Sequence, residues 1–129
     1  EYITVHLPLN AETKNFISSK EFSSMKKTAI IVNSARGGII NEQELIEALE
    51  KKNLLAAGID VFEKEPPDQN NRLFKLPNVL LTPHNAALTL ECRKRMATEA
   101  ALLIVYYLTD KSKLYSSNLI NIKELDLQI

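Results

Sequence analysis

Thr28-Ala29-Ile30-Ile31-Val32-Asn33, followed by Ser34-Ala35-Arg36-Gly37-Gly38, decides the fold. A continuous apolar and β-branched run of this kind reads as a strand buried on both faces, as in the middle of a parallel sheet. The polar, glycine-containing segment after it is the break that ends the strand. Upstream, Tyr2-Ile3-Thr4-Val5-His6-Leu7 is another β-branched run, and Pro8 stops it. Between the two, Ser18 or Ser19 caps a short helix through Glu21, Phe22 and Met25. Downstream, Asn41 is an N-cap with an acid, Glu44, three residues on. Leu45, Ile46, Ala48 and Leu49 follow at helical spacing to about Lys52. Leu55 to Val61 is a third strand, and Phe62 to Pro77, rich in proline and charge, is a loop. Asn78 to Thr82 is a fourth, short strand that runs into Pro83-His84.

The segment from Thr89 to about Thr109 carries the strongest helical pattern. Leu88, Cys92, Met96, Ala100, Leu103 and Tyr107 lie three or four residues apart. Thr89 caps it, and Glu91 sits in its first turn. In the tail, 118–122 reads as a candidate short strand. Strand, helix, strand, helix, strand predicts an α/β fold: a parallel-sheet, Rossmann-like (doubly wound) arrangement, incomplete, with a long C-terminal helix. Ligands of such sheets bind beyond the carboxyl ends of the strands. Here those ends are Leu7-Pro8, Asn33 to Gly38, Asp60 with the loop after it, and Thr82-Pro83-His84. The unusual polar residues of the chain cluster at those ends.

Composition narrows the function. The chain has 129 residues, 16 basic and 16 acidic, with a formal net charge of zero. A nucleic acid or an anionic membrane selects a basic face, so neither is expected as the main partner. The uncharged run Ala100 to Thr109 is too short to span a bilayer. One cysteine, Cys92, excludes an internal disulfide, and two histidines, His6 and His84, cannot build a multi-histidine metal site. These facts suggest a soluble protein of the reducing cytoplasm. There are three glycines where an average chain would carry roughly nine. They lack the spacing of the dinucleotide fingerprint GxGxxG.

Arg36 at a glycine turn suits bidentate recognition of a carboxylate or phosphate, although a surface arginine beside a helix entry has the same pattern. His84 can give and take a proton near neutral pH. Glu65, in Glu63-Lys64-Glu65-Pro66-Pro67, would fix the imidazole tautomer if the fold brings the two loops together. Taken alone, it reads as a solvated charge. Asp60 ends an apolar strand and is either a ligand acceptor or a turn aspartate. His6, inside the first strand, reads as a satisfied core histidine. Cys92, on the core-facing stripe of the long helix, reads as an inert small hydrophobe.

Several strings, in order, resemble one family: Val5-His6-Leu7-Pro8-Leu9, Thr13, Met25-Lys26-Lys27, Asn33 to Gly38, Asp60-Val61-Phe62-Glu63-Lys64-Glu65-Pro66 and Pro83-His84. The chain is similar to the NAD-binding domain of the D-isomer-specific 2-hydroxyacid dehydrogenases, from residue 1 to about residue 110. The resemblance implies that Arg36 binds the substrate carboxylate, that His84 is the acid/base and that Glu65 pairs with it. It implies that Asp60 holds the nicotinamide carboxamide. It implies further that Leu7, Pro8, Thr13, Ser34, Ala35, Arg36 and His84 line the cofactor. NAD is the implied cofactor, with NADP as the alternative. A 2-hydroxy or 2-keto acid is the implied small-molecule substrate, and a homodimer the implied assembly.

Two departures from the family stand out. His84-Asn85-Ala86-Ala87 lacks the glycine or bulky residue often found after the histidine. Members are also normally more than twice this length. The expected organisation is therefore a partial NAD-binding domain over 1–110, without its phosphate loop, and a tail over 111–129 returning toward a substrate domain. As a fragment it is expected to bind NAD weakly, to lack turnover and to expose a sheet edge that pairs with another chain. The alternative reading is an NAD-sensing, non-enzymatic module like the family's co-repressors. Formate-oxidising relatives fit less well, because they pair the histidine with an amide.

Overall fold

The computed structural model describes residues 1–114. The candidate strand over 118–122 lies outside them. The chain divides into two compact units, Glu1–Ala86 and Ala87–Ile129.

The first unit is built on four short strands: β1 (Tyr2–Val5), β2 (Ile30–Asn33), β3 (Ala56–Ile59) and β4 (Val79–Leu81). They pair in sequence order and every pair is parallel. Parallel neighbours need crossover connections. α1 (Ser19–Ser24) supplies the first and α2 (Glu42–Glu50) the second. A loop with a 3-10 turn at Arg72–Lys75 supplies the third. Because all strands point the same way, their carboxyl ends share one edge, and all four post-strand loops gather there.

Capping chemistry sets the helix starts. The Asn41 side chain accepts the Glu44 N–H at 3.0 Å. At α1 the Glu21 carboxylate takes both the N–H and the hydroxyl of Ser18, which holds its pKa below the ordinary value. Ser18, rather than Ser19, is the cap. α2 buries Leu45, Ile46, Ala48 and Leu49 against Ile31, Ala57 and Ile59 of the sheet, and Phe22 of α1 joins the same core.

The run Thr28–Asn33 is not buried on both faces within this unit. Ile31 is inaccessible, whereas Val32 is 37% exposed and Leu80, on β4, 71%. α1 and α2 pack together on one face, so alternate strand residues point away from that core. β1 is also shorter than its sequence pattern. It ends at Val5, which leaves His6 exposed beyond the strand, bonded to the Thr4 hydroxyl rather than held in a core. The segment Phe62–Pro77 is not uniform loop. Its 3-10 turn, capped by Asn71, plants Leu73 in the core at 1% exposure.

In the second unit, α3 (Leu90–Thr109) begins where the sequence places it, with the Thr89 hydroxyl accepting the Cys92 N–H. None of its residues is buried, and Cys92 is half-buried rather than enclosed in a core. No helix among the described residues is long and apolar enough to cross a membrane.

Candidate active site at the carboxyl edge of the sheet

Three loops meet at this edge. The loop after β2 carries Arg36, the loop after β3 carries Glu65, and the turn after β4 carries His84. Asn33, 2% exposed at the end of β2, shapes the first. Its side chain accepts the Ala35 N–H at 3.1 Å and donates to the Arg36 carbonyl at 2.9 Å. The turn then opens into Gly37-Gly38. A Cβ built on Gly37 would lie 1.8 Å from the Phe62 carbonyl oxygen, so only glycine allows the two loops to touch there.

Phe62 begins the second loop. Its N–H donates to Glu65 Oε1 at 3.0 Å, and its ring stands 6.2 Å from Phe74. A reciprocal pair of bonds ties this loop to α2. The Glu42 N–H donates to Glu63, and the Glu63 N–H donates back to Glu42, at 2.9 and 3.1 Å. Glu65 lies in the loop these bonds fix, with one carboxylate oxygen taken by the Phe62 N–H.

Glu65 Oε2 lies 2.7 Å from Nδ1 of His84. The imidazole, first, and then the Phe62 N–H hold the Glu65 carboxyl below the usual range. Both side chains are partly open to solvent, at 47% for His84 and 37% for Glu65. No described residue bonds Nε2, which is left as the atom able to meet a ligand. An apolar cavity of about 410 Å³, walled by Phe62, Pro66, Pro67, Phe74 and Leu81, opens beside the pair.

Asp60 is 5% exposed, and both its carboxylate oxygens accept bonds from within the chain. Oδ1 accepts the Thr82 hydroxyl and the Asn85 N–H, and Oδ2 accepts the Ala86 N–H. Burial pushes its pKa up. The Thr82 hydroxyl and the two N–H groups outweigh that, and the carboxyl stays below its ordinary value.

Arg36 is exposed in the adjoining loop and donates to the Ala35 carbonyl at 2.7 Å. Among the described residues no carboxylate pairs with it. Leu7 and Pro8 are exposed in the loop after β1. The Thr13 hydroxyl accepts the Asn10 N–H and donates to the Pro8 carbonyl, so it staples that loop. Ser34 and Ala35 are half-buried in the turn that Asn33 shapes. Among the described residues no group of three His, Cys, Asp or Glu side chains could hold a metal. Sequence reading placed Asn33 and Thr82 at the strand ends that form the site but gave neither a role of its own. The signal for both is a polar residue closing an apolar strand.

Residues 1–86 match the protein family described as D-isomer specific 2-hydroxyacid dehydrogenase, NAD binding domain. The chain belongs to this family. The D-3-phosphoglycerate dehydrogenase of Methanocaldococcus jannaschii is 48% identical over 101 residues, which are 78% of this chain and 19% of that protein. The glyoxylate reductase of Aeropyrum pernix is 43% identical over 111 residues, 86% of this chain and 33% of that protein. Among solved structures, the NAD-complexed D-isomer specific 2-hydroxyacid dehydrogenase of Lactobacillus delbrueckii ssp. bulgaricus has a TM-score of 0.78 at 29% identity. That alignment covers 84% of this chain and 38% of the other. The chain thus spans 19% and 33% of the two curated 2-hydroxyacid dehydrogenase relatives. Relatives of this fold are solved with NAD and with NADP.

Proposed function

We propose that this chain carries the acid/base half of an oxidoreductase that moves a hydride between NAD(H) and the 2-position of a D-2-hydroxy or 2-keto acid. The observation that carries the reading is the 2.7 Å contact between Glu65 and His84 Nδ1. A carboxylate on Nδ1 keeps a proton on that nitrogen and fixes the ring, so proton exchange with a substrate falls to Nε2.

In the reduction, His84 Nε2 gives its proton to the keto oxygen, and in the oxidation it takes the proton of the 2-hydroxyl. Glu65 faces the imidazolium and stabilises it before transfer. The Arg36 guanidinium, free of any described carboxylate, pairs with the substrate carboxylate in a forked contact. NAD(H), when bound, supplies or accepts the hydride.

The residues present fit the nicotinamide end of that cofactor. Leu7, Pro8, Ser34 and Ala35 offer backbone and small side chains at the edge. Asp60 Oδ2 takes one hydrogen bond from the chain, which leaves it able to accept an amide N–H. Thr13 contributes by holding the Pro8 loop. No GxGxxG is present to cradle the pyrophosphate at a helix N-terminus. The chain alone is therefore a weak NAD binder without turnover. A second copy of the chain is the expected macromolecular partner.

NADH titration of the isotope-labelled 129-residue chain tests the binding half of the reading. Weak, saturable shifts confined to 7–8, 34–36, 60 and 84 support it. Shifts elsewhere, or none at millimolar NADH, overturn it. The catalytic half is tested by NADH oxidation in a chimera where the chain replaces its matching segment in a longer relative.

A further inference from the structure

We propose that Asp60 is the positioning residue of His84, its carbonyl and carboxylate together fixing the turn from which the imidazole reaches Glu65. The inference rests on the acid/base reading of His84 and deepens it.

His84 has φ +51°, in the left-handed region that a non-glycine residue rarely occupies. Such a conformation is strained and persists only where the surroundings over-determine it. Asp60 is what over-determines it. Its carbonyl accepts the His84 N–H at 2.9 Å. Its carboxylate accepts the Thr82 hydroxyl on one side of the histidine and the N–H groups of Asn85 and Ala86 on the other, both at 2.9 Å. A single buried residue at the end of β3 therefore holds the turn after β4 at four points.

The chemistry requires a carboxylate. Three donors converge on the side chain, and an ionised acid is an acceptor only. An asparagine of the same shape would turn an NH2 group toward one of them. Bonds to a charged acceptor in a site this buried are also stronger than neutral ones. Three of about four acceptor positions are filled from within the chain. Holding the turn is thus the larger part of what this carboxylate does in the free protein.

The test uses the 129-residue chain without ligand, and reads the Glu65 side chain through its pH titration by 13C NMR. The charged groups facing Glu65 are His84 and Asp60, and they act in opposite directions. Asp60's own charge raises the Glu65 pKa, so removing a mere charge would lower the midpoint. Releasing His84 from its turn removes the group that keeps Glu65 low, and would raise it. The expected result is that Asp60→Ala and Asp60→Asn both raise the Glu65 midpoint toward that of His84→Ala. Thr82→Val, which deletes one bond, should move it part of the way. Asp60→Ala added to His84→Ala should produce no further rise. An unchanged or lowered Glu65 midpoint in folded Asp60→Asn overturns the proposal. Should both Asp60 variants fail to fold, Thr82→Val decides: an unchanged midpoint there counts against it. Because no cofactor or substrate enters the measurement, its outcome is independent of whether the chain supports hydride transfer.

Discussion

Gly37 and Phe62 approach so closely that a methyl group on Gly37 would lie 1.8 Å from the Phe62 carbonyl oxygen. That contact joins the Arg36 loop to the Glu65 loop. Gly37→Ala must push the loops apart, and an overpacked contact of this kind typically costs ~1–3 kcal/mol. Gly38→Ala meets no atom closer than 3.7 Å, and its cost is the φ of +80°. That loss should be about 1 kcal/mol. Urea denaturation should rank Gly37→Ala as the more damaging. The opposite order would show that the loop contact is soft.

Acid should dissolve the dyad by way of its carboxylate. The folded Glu65 pKa is depressed by His84. A depressed carboxylate contributes stability that is present above the ordinary value of 4.5 and is lost as pH falls through the lowered folded value. Both groups are more than a third exposed, so the pair is screened and worth at most about 1 kcal/mol. Glu65→Gln should therefore destabilise the chain slightly at pH 7, and the gap should narrow as the pH falls below 4.5. A stability gap that stays constant, or widens, as the pH falls below 4.5 contradicts this assignment.

Leu73 tests the part of the fold that hydrophobic patterning concealed. It is 1% exposed, and Leu73→Ala should cost ~2–5 kcal/mol. Leu80→Ala, at 71% exposure, should stay within about 0.5 kcal/mol of the parent. Thermal or urea unfolding of the two variants gives the comparison directly. Equal losses would mean that the described core is misassigned.

These three cases mark what was legible in the sequence. The parallel sheet was legible because Ile30-Ile31-Val32 and Ala56-Ala57-Gly58-Ile59 are apolar runs separated by a capped amphipathic helix. Thr89 and Asn41 announced helix starts through local capping chemistry, which needs no tertiary information. Leu73 was not legible, because a single apolar residue in a proline-rich segment has no periodicity. His6 was misplaced because β-branched neighbours extend a strand pattern past the last paired residue, Val5. The partnership of Glu65 with His84 joins loops after two different strands. Residue type and strand ends bring both to one edge of a sheet, but only packing, through Gly37, Phe62 and the Glu42–Glu63 bonds, sets their distance. Asp60 left two readings open for the same reason: its donors come from Thr82, Asn85 and Ala86, far along the chain.

β1 and β4 are the edges of the described sheet, and Tyr2 on β1 is 82% exposed. An unpaired edge recruits another strand. The 129-residue chain should sediment as a dimer or larger species at micromolar concentration. Thr4→Lys, on the edge strand, should shift it toward monomer. A parent chain that sediments only as a monomer would remove the association.

NADH oxidation by a chimera tests most directly whether His84 is the acid/base of a 2-keto acid reductase. The chain replaces the segment it matches in the Aeropyrum pernix glyoxylate reductase, and glyoxylate and other 2-keto acids are assayed with NADH. The chimera should turn over. His84→Ala should lower kcat by about 100-fold or more, the usual contribution of a positioned proton donor. Arg36→Ala should also raise KM for the acid. A folded, NADH-binding His84→Ala chimera that keeps the parent chimera's kcat would contradict the assignment.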